Sequence, residues 1–463
     1  MAKNDFSALI LAAGEGTRMK SSTPKVLHKL NEVPILKRVL ETVESLKPRS
    51  IGIVVGAGSA RVRREIGGGS TIWIEQKARR GSGHAVQTAM PWIRRSLKSS
   101  PHLLILCGDT PLLKAETLRE LHDFHRAQGN SATVLSALLE NPFGYGRIVK
   151  GGDGTVRRIV EEKDASAQEK EIREVNSGVY CFQSEKLLEA LPELKNENAK
   201  GEYYLTDVIE ILNRKDRRAG AVTIKNGSLE TVGVNSRADL ALAEAEIQKE
   251  ILKRWMDAGV TVISPAATYI GEEAEIGRDT VLLPGTMLLG KTKIGEGCKI
   301  GPNAFIEDSA VGDMVSIRAS FIYGSRIEED VKIGPFAHLR PGTVVKKGAR
   351  VGNFTEIKQS RIGKDSKVSH LSYIGDTEIG DDVNVGAGVV TCNFDGVKKH
   401  KTVIGKKSFV GSNVNLVAPV RIGEGAVIGA GSTITEDVPA HALAIERTQQ
   451  TVKKGWARRK KGK

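Results

Sequence analysis

The sequence predicts an α/β protein in two parts: a Rossmann-like, mostly parallel sheet over residues 1–237 and a parallel β-helix over 259–463, joined by a helix at 238–258. Three observations predict it. Short β-branched runs alternate with amphipathic stretches in the first half, one long helical pattern follows, and an aliphatic-glycine pair then recurs at multiples of six.

In the first half, Ala8–Leu11, Ile51–Val55, Ile72–Ile74 and Leu103–Cys107 read as strands. Ile35–Leu46, Ala85–Leu97 and Ala115–His125 read as the helices between them. Alternation of this kind places ligands at the carboxyl ends of the strands. From 238 to 257, Leu240, Ala245, Ile247, Ile251, Leu252 and Trp255 recur at helical spacing, and Gly259 closes the pattern.

The third observation is the most specific. The pairs at Ile270, Ile276, Ile294, Ile300, Ile404, Val410, Ile422 and Ile428, each followed by glycine, are separated by 6 or 18 residues. Six residues per side and three sides per turn give a triangular coil of 18, with the aliphatic side chain inward and the small residue at the corner. About 170 residues at this period predict nine or ten coils. A 19-residue gap between Val385 and Ile404 breaks the phase and predicts an expelled loop, roughly Thr391–Thr402. Residues 453–463 form a basic tail, read as a solubilising end.

Composition narrows the function. The chain is 27% charged and 40% apolar, which excludes pervasive disorder, and its 50 glycines follow no three-residue period, which excludes collagen. No apolar run approaches the ~18 residues of a membrane helix, and no signal-peptide pattern opens the chain. Four scattered cysteines without a Cys-x-x-Cys motif suggest a reducing, cytoplasmic setting. A net charge of +14 favours anionic partners. Nucleic acid is suggested by charge alone, without interleaved aromatics or a recognition motif, and is not expected as a partner.

The first strand runs into Gly14-Glu15-Gly16-Thr17-Arg18-Met19, with Pro24-Lys25 close behind. Met19 sits where a dinucleotide fingerprint needs its third glycine, and no Gly-Lys-Ser/Thr follows as a Walker loop requires. What remains is a strand-to-loop turn whose bare amides can approach phosphate oxygens, with Arg18 and Lys25 to neutralise charge. Such a turn alone is as often merely a turn. Asp109, after an apolar strand, is costly unless it lies in a cleft or meets a cation; with Asn235 it offers oxygen ligands of the kind Mg²⁺ takes.

In the second half, polar residues crowd between 338 and 400. Arg340, the Gly352-Asn353-Phe354 string with Glu356 and Lys358, His370 to Asp376, Asn384, and Asn393 to Gly396 fall in consecutive coils. Residues about 18 apart stack, so Arg340, Lys358 and the turn at 373–376 line one groove carrying two cations.

The string Leu11-Ala12-Ala13-Gly14-x-Gly16-Thr17-Arg18-Met19 with Pro24-Lys25 resembles the sugar-nucleotidyltransferase family. Gln76, Gly81 and Ser82 resemble its base-reading segment, and Gly108-Asp109 its metal-binding turn. Gly146, Glu161, Asn176 and Asn235 fall in the family's order as nucleotide and sugar contacts. Glu15 stands where a basic residue is usual. Taken over its whole length, to Gly455-Trp456, the chain resembles the bacterial bifunctional enzymes that make UDP-N-acetylglucosamine. The resemblance implies a left-handed β-helix, a homotrimer, and two reactions. Glucosamine 1-phosphate is acetylated from acetyl-CoA, and the product is then uridylylated from UTP with Mg²⁺ at Asp109 and Asn235.

By the same resemblance His370 is the general base and Glu356 orients its ring, while Arg18 and Lys25 act in the uridylyl site. Arg340, Lys358, Tyr373 and Asn384 hold the sugar phosphate. Ala387, Asn393, Phe394, Lys399, Ser412, Ala430 and Arg447 meet acetyl-CoA, with phenylalanine at 394 where tyrosine is commoner. Two other readings remain: a single-activity sugar-1-phosphate nucleotidyltransferase with a structural β-helix, and a non-catalytic subunit of a translation-factor exchange complex.

Overall fold

The structure, a computed structural model, describes all residues except 1–4, 57, 58, 68, 98, 225–228 and 460–463; the end of the basic tail thus lies outside the described residues. It divides into two compact units, residues 1–247 and 248–463.

The first unit is a nine-stranded sheet. Its main path runs Ala219–Ile224, Ala132–Leu138, Glu174–Gln183, His102–Cys107, Phe6–Ala12, Ile51–Gly56, Ile72–Gln76. Along this path all neighbours are parallel except Glu174–Gln183, which runs antiparallel to the strands on either side; off the path, Arg147–Lys150 pairs antiparallel with Glu174–Gln183 and with Val156–Val160. The sheet is thus mostly parallel, as strand-helix alternation suggests, with one reversed strand in its main path. Strand pleating sorts the core into two layers. Leu9, Val54, Leu103 and Ile105 face the helix Ser82–Ser96 through Val86, Ala89 and Trp92. Their neighbours Ala8, Ile10, Ile53, Leu104 and Leu106 face Leu36 and Leu40 of Ile35–Ser45 and Leu118 and Leu121 of Ala115–Gln128.

The second unit is a left-handed parallel β-helix whose three faces carry eleven, ten and nine short strands. Its core is a ladder of stacked aliphatics. On one face Ile270, Leu288, Ile306, Ile322, Leu339, Ile357 and Ile374 pair in successive coils, all fully buried. Their spacings are 18, 18, 16, 17, 18 and 17 residues, so the strict 18-residue period does not hold. Corners lose one or two residues while the inward position is kept, because a slip of one would turn the apolar side chain to solvent.

A helix spans Arg237–Asp257. Within the second unit its Gln248 grips the start of the coil: the side-chain amide donates to the Ile270 carbonyl at 2.9 Å and accepts from the Ile270 N–H at 3.0 Å. Edge backbone groups that would otherwise lack a ladder partner are thereby satisfied. The expelled loop is present. It leaves after Val390–Cys392 and returns at Thr402–Ile404, pinched by a bridge between Phe394 and Lys399. Among the described residues no helix is long and apolar enough to cross a membrane.

Candidate active sites

In the first unit the carboxyl ends of the strands gather the expected residues. Gly108 N–H donates to the Leu11 carbonyl at 2.8 Å, which brings the turn after His102–Cys107 beside the Gly14 loop. From that turn the Asp109 carboxylate forms an ion pair with Lys25, and the same ammonium donates to Asn235 Oδ1 at 3.0 Å. Lys25 is nearly buried, and its charge is compensated by that contact. Asn235 is positioned by the adjacent backbone, since Val234 N–H donates to the Asp109 carbonyl at 2.8 Å.

Gly16 has φ +66°, and a Cβ there would lie 2.5 Å from Lys25 Cβ. The tight loop is what lets the lysine fold back under it. Gly14 has open space in front of it. Ala13, Gly14, Pro24, Lys25, Gly56 and Arg79 are among the residues lining a cavity of about 220 Å³. Arg18 is exposed on the turn Thr17–Met19. Glu15 is ion-paired with Arg79. Sequence reasoning missed Arg79, although an acidic residue in a phosphate-facing loop is itself a signal that a cation stands opposite.

Gln76 is buried, donating to the Gly81 carbonyl at 3.3 Å and lying 2.9 Å from His84 Nδ1. Gly81 has φ +101°, and its missing Cβ would meet the Tyr203 carbonyl oxygen at 2.5 Å. Ser82 Oγ accepts the Leu205 N–H at 3.1 Å. Gly146, Glu161 and Asn176 form a third group. A Cβ on Gly146 would touch Glu161 Oε1 at 3.5 Å and Asn176 Cβ at 3.6 Å, and Asn176 N–H donates to the Gly146 carbonyl at 2.9 Å. Burial pushes the Glu161 carboxyl above its usual range, against the pull of Lys200 and a hydrogen bond from Thr206. Burial and the nearby Asp109 charge push the Cys107 thiol up to about 12, so it is an inert neighbour.

In the second unit the register decides what meets. Leu339 pairs with Ile357 and Lys358 with Gly375, so Arg340, Lys358 and Gly375 stack at one corner. Asn393 donates to Asp376 one position on. The Lys399 ammonium beside Lys358 holds the Lys358 pKa below the usual lysine value, the mark of a crowded cationic corner suited to an anion.

The opposite corner of the same face holds His370, a three-residue strand away, roughly 10 Å. Asn353 pairs with His370 in the ladder, and Asn353 Oδ1 lies 2.6 Å from His370 Nδ1. Glu356 instead pairs with Arg340 at 2.9 Å. The expectation that Glu356 orients the histidine is therefore corrected: the ring's partner is Asn353, one coil earlier, and the carboxylate is taken by the guanidinium. With the amide oxygen as acceptor, Nδ1 carries the proton and Nε2 keeps its lone pair.

The column continues. Gly388 N–H donates to the His370 carbonyl at 3.3 Å, Asn413 to Ala387 at 2.7 Å, and Gly431 to Ser412 at 2.8 Å. These bonds place His370, Ala387, Ser412 and Ala430 above one another in consecutive coils, and Arg447 reaches the Ala430 carbonyl at 3.1 Å. Tyr373 opens the strand between the two corners, next to Glu356. Phe394 is exposed on the expelled loop. Asn384 is not gathered with Arg340, Lys358 and Tyr373. It lies on the adjoining face between Lys367 and Phe409.

Comparison with known proteins follows this division. Residues 8–211 match the MobA-like NTP transferase domain. Residues 273–308, 324–359 and 401–436 match the bacterial transferase hexapeptide family of six repeats. Among similar curated proteins, "Bifunctional protein GlmU" of Thermoanaerobacter pseudethanolicus is 51% identical over 98% of both chains. That of Caldanaerobacter subterraneus subsp. tengcongensis is 50% identical over 99% of both. That of Acetivibrio thermocellus is 47% identical over 98% of this chain and 97% of its own.

Proposed function

The chain belongs to the family of the bifunctional protein GlmU, and on that premise we propose that it makes UDP-N-acetylglucosamine in two steps at two separate sites. The first transfers an acetyl group from acetyl-CoA to glucosamine 1-phosphate; the second joins the N-acetylated product to a uridylyl group from UTP. The observation that carries the bifunctional reading is the column of His370, Ala387, Ser412 and Ala430 in consecutive coils. A β-helix kept only for assembly has no need to align a base and a strip of small residues along one edge.

In the acetyl site, Arg340 and Lys358 hold the sugar phosphate at the cationic corner, and Lys399, expected from the resemblance to meet acetyl-CoA, stands beside Lys358 and adds its charge there. Nε2 of His370 removes the proton from the substrate amine as it attacks the thioester carbonyl, and the coenzyme leaves as a thiol. Asn353 fixes the tautomer that leaves Nε2 free. Ala387, Ser412, Ala430 and Arg447 line the path for the coenzyme, with Asn393 and Phe394 at its entrance.

In the uridylyl site, an oxygen of the sugar phosphate attacks the α-phosphorus of UTP in line and pyrophosphate leaves. No covalent nucleophile is needed, so positioning and charge neutralisation carry the rate. Gln76, Gly81 and Ser82 receive the base, Gly146, Glu161 and Asn176 the sugar, and the Gly14 loop with Arg18 the phosphates. Asp109 and Asn235 fit Mg²⁺: an anionic and a neutral oxygen already converge on one cation, the Lys25 ammonium. A divalent ion held there would screen the phosphate charge. Lys25 is then free to turn toward the phosphates.

The acetyl site lies open in a single chain, and Asn384 stands on the wrong face to complete it. Phe336, Phe354 and Leu371 form an exposed apolar column directly beside His370, the two rings stacked at 5.2 Å. A homotrimer, in which each prism edge meets the next chain, covers that column and completes the site. Four free cysteines accord with a reducing, cytoplasmic setting.

The test is incubation with glucosamine 1-phosphate, acetyl-CoA, UTP and Mg²⁺, following thiol and pyrophosphate release separately. Both are expected. Pyrophosphate release from N-acetylglucosamine 1-phosphate without any thiol release from glucosamine 1-phosphate would leave only the single-activity reading.

A further inference from the structure

At the amino ends of the same strands, away from the Gly14 loop and Asp109, a second cluster of ligating side chains has no part in either reaction. Asp5 immediately precedes the strand Phe6–Ala12, and His102 opens the neighbouring strand, in register with Phe6. His122 comes down onto both from the helix Ala115–Gln128. One ligand atom from each lies within 4.8 Å of the others. His102 Nδ1 is 3.2 Å from His122 Nε2, His122 Nε2 is 3.4 Å from Asp5 Oδ1, and His102 Nδ1 is 3.9 Å from Asp5 Oδ2.

We propose that Asp5, His102 and His122 form a binding site for a divalent transition-metal ion of the zinc class, pinning two sheet strands to a helix at the end remote from the chemistry. The geometry supports it first. Ligand bonds of roughly 2.0–2.1 Å in a tetrahedral arrangement put donor atoms roughly 3.3 Å apart, so two of the three edges are already at that length. Two imidazole nitrogens facing each other at 3.2 Å cannot both carry protons. At least one lone pair points into the site, and a tautomer change in the other ring turns its lone pair in as well.

The surroundings are those of a built site. The Arg126 guanidinium lies 3.6 Å from Asp5 Oδ2, steering the carboxylate from outside while Oδ1 faces His122. The Phe6 ring packs on His122 at 4.7 Å, and His125 stands edge-on to His102 at 5.0 Å, so both imidazoles are held in place. Two nitrogens and one carboxylate leave a fourth position for water. This donor set suits zinc, cobalt or nickel rather than magnesium, which prefers oxygen.

The test uses the full-length protein, stripped with a chelator and kept in excess Mg²⁺. Zn²⁺ is titrated against a chromophoric chelator, and Co²⁺ is added separately to read its d–d absorption. The wild type is expected to take up one more equivalent of Zn²⁺ at micromolar or tighter affinity than Asp5→Asn or His122→Gln, and to give a Co²⁺ band of tetrahedral intensity that both variants lose. Each variant should keep its far-ultraviolet circular dichroism and its pyrophosphate release, which separates loss of the site from loss of the fold and from failure of the enzymatic assignment. Equal Zn²⁺ uptake by the wild type and both folded variants would overturn the proposal, as would no uptake by any of them.

Discussion

Replacing Asn353 isolates what the ladder bond at His370 does for acetyl transfer. In Asn353→Ala the contact at 2.6 Å is lost and Nδ1 faces water. A hydrogen bond of this kind contributes a net ~0.5–1.5 kcal/mol. At about 1.4 kcal/mol per tenfold, kcat for acetyl transfer should fall roughly 2- to 12-fold if the bond is intact in the transition state. Asn353→Asp makes a sharper test because it changes a charge without changing shape. A carboxylate placed there attracts the charged form of the ring, by ~1 kcal/mol in the high dielectric of an exposed site. Acetyl transfer needs the neutral ring, so the acid limb of its pH profile should move up. The assay is thiol release from acetyl-CoA between pH 5 and 9, with pyrophosphate release as the control that should not change. An Asn353→Asp enzyme with an unshifted acid limb, and an Asn353→Ala enzyme with full kcat, would show that Asn353 does not govern the base.

Asp109→Ala should abolish pyrophosphate release and leave thiol release nearly intact, while His370→Ala should do the reverse; loss of both activities in either folded variant would refute the two-site assignment. Gly81→Ala drives a Cβ to 2.5 Å from the Tyr203 carbonyl at a φ of +101°, and should cost the first unit about 2–4 kcal/mol in denaturant unfolding. Phe354→Asp or Leu371→Asp should convert the proposed trimer to smaller species in sedimentation, with acetyl transfer lost and uridylyl transfer kept. Burial, with the charges of Glu210, Glu161 and Asp164, pushes the Asp207 carboxyl up to about 6. Its folded value then exceeds the unfolded one, so the fold is unpenalised below about pH 4 and loses stability as the pH rises through 6. Asp207→Asn should therefore add about 1–2 kcal/mol at pH 8, a figure already reduced for solvent screening, and nothing at pH 4.

Much of the candidate chemistry could be read because chemistry-bearing residues stand next to backbone signals. Asp109 follows a buried apolar strand, and Lys25 follows a glycine turn. Arg340 and Lys358 are one coil apart. Asn353 and Arg79 escaped for different reasons. Asn353 is one amide among many until the ladder shows it opposite His370, at a spacing of 17 rather than 18. Arg79 is one of several arginines until Glu15 is seen to face it. The metal-binding cluster was equally hidden, since Asp5, His102 and His122 are far apart in sequence and no local spacing joins them.

The order of apolar and small residues was enough to determine the two architectures, because side-chain period is a local property of the backbone. Alternation of strands with helices sets the sheet, and an inward aliphatic every six residues sets the prism. Which polar groups touch was decided by the folded chain alone. One residue dropped between neighbouring coils puts Asn353 opposite His370, while Glu356, opposite His338 across a full 18-residue coil, meets Arg340 on the diagonal. The same holds at the two ends of the sheet, where a parallel register, not sequence proximity, brings Lys25 to Asp109 and Asp5 to His102.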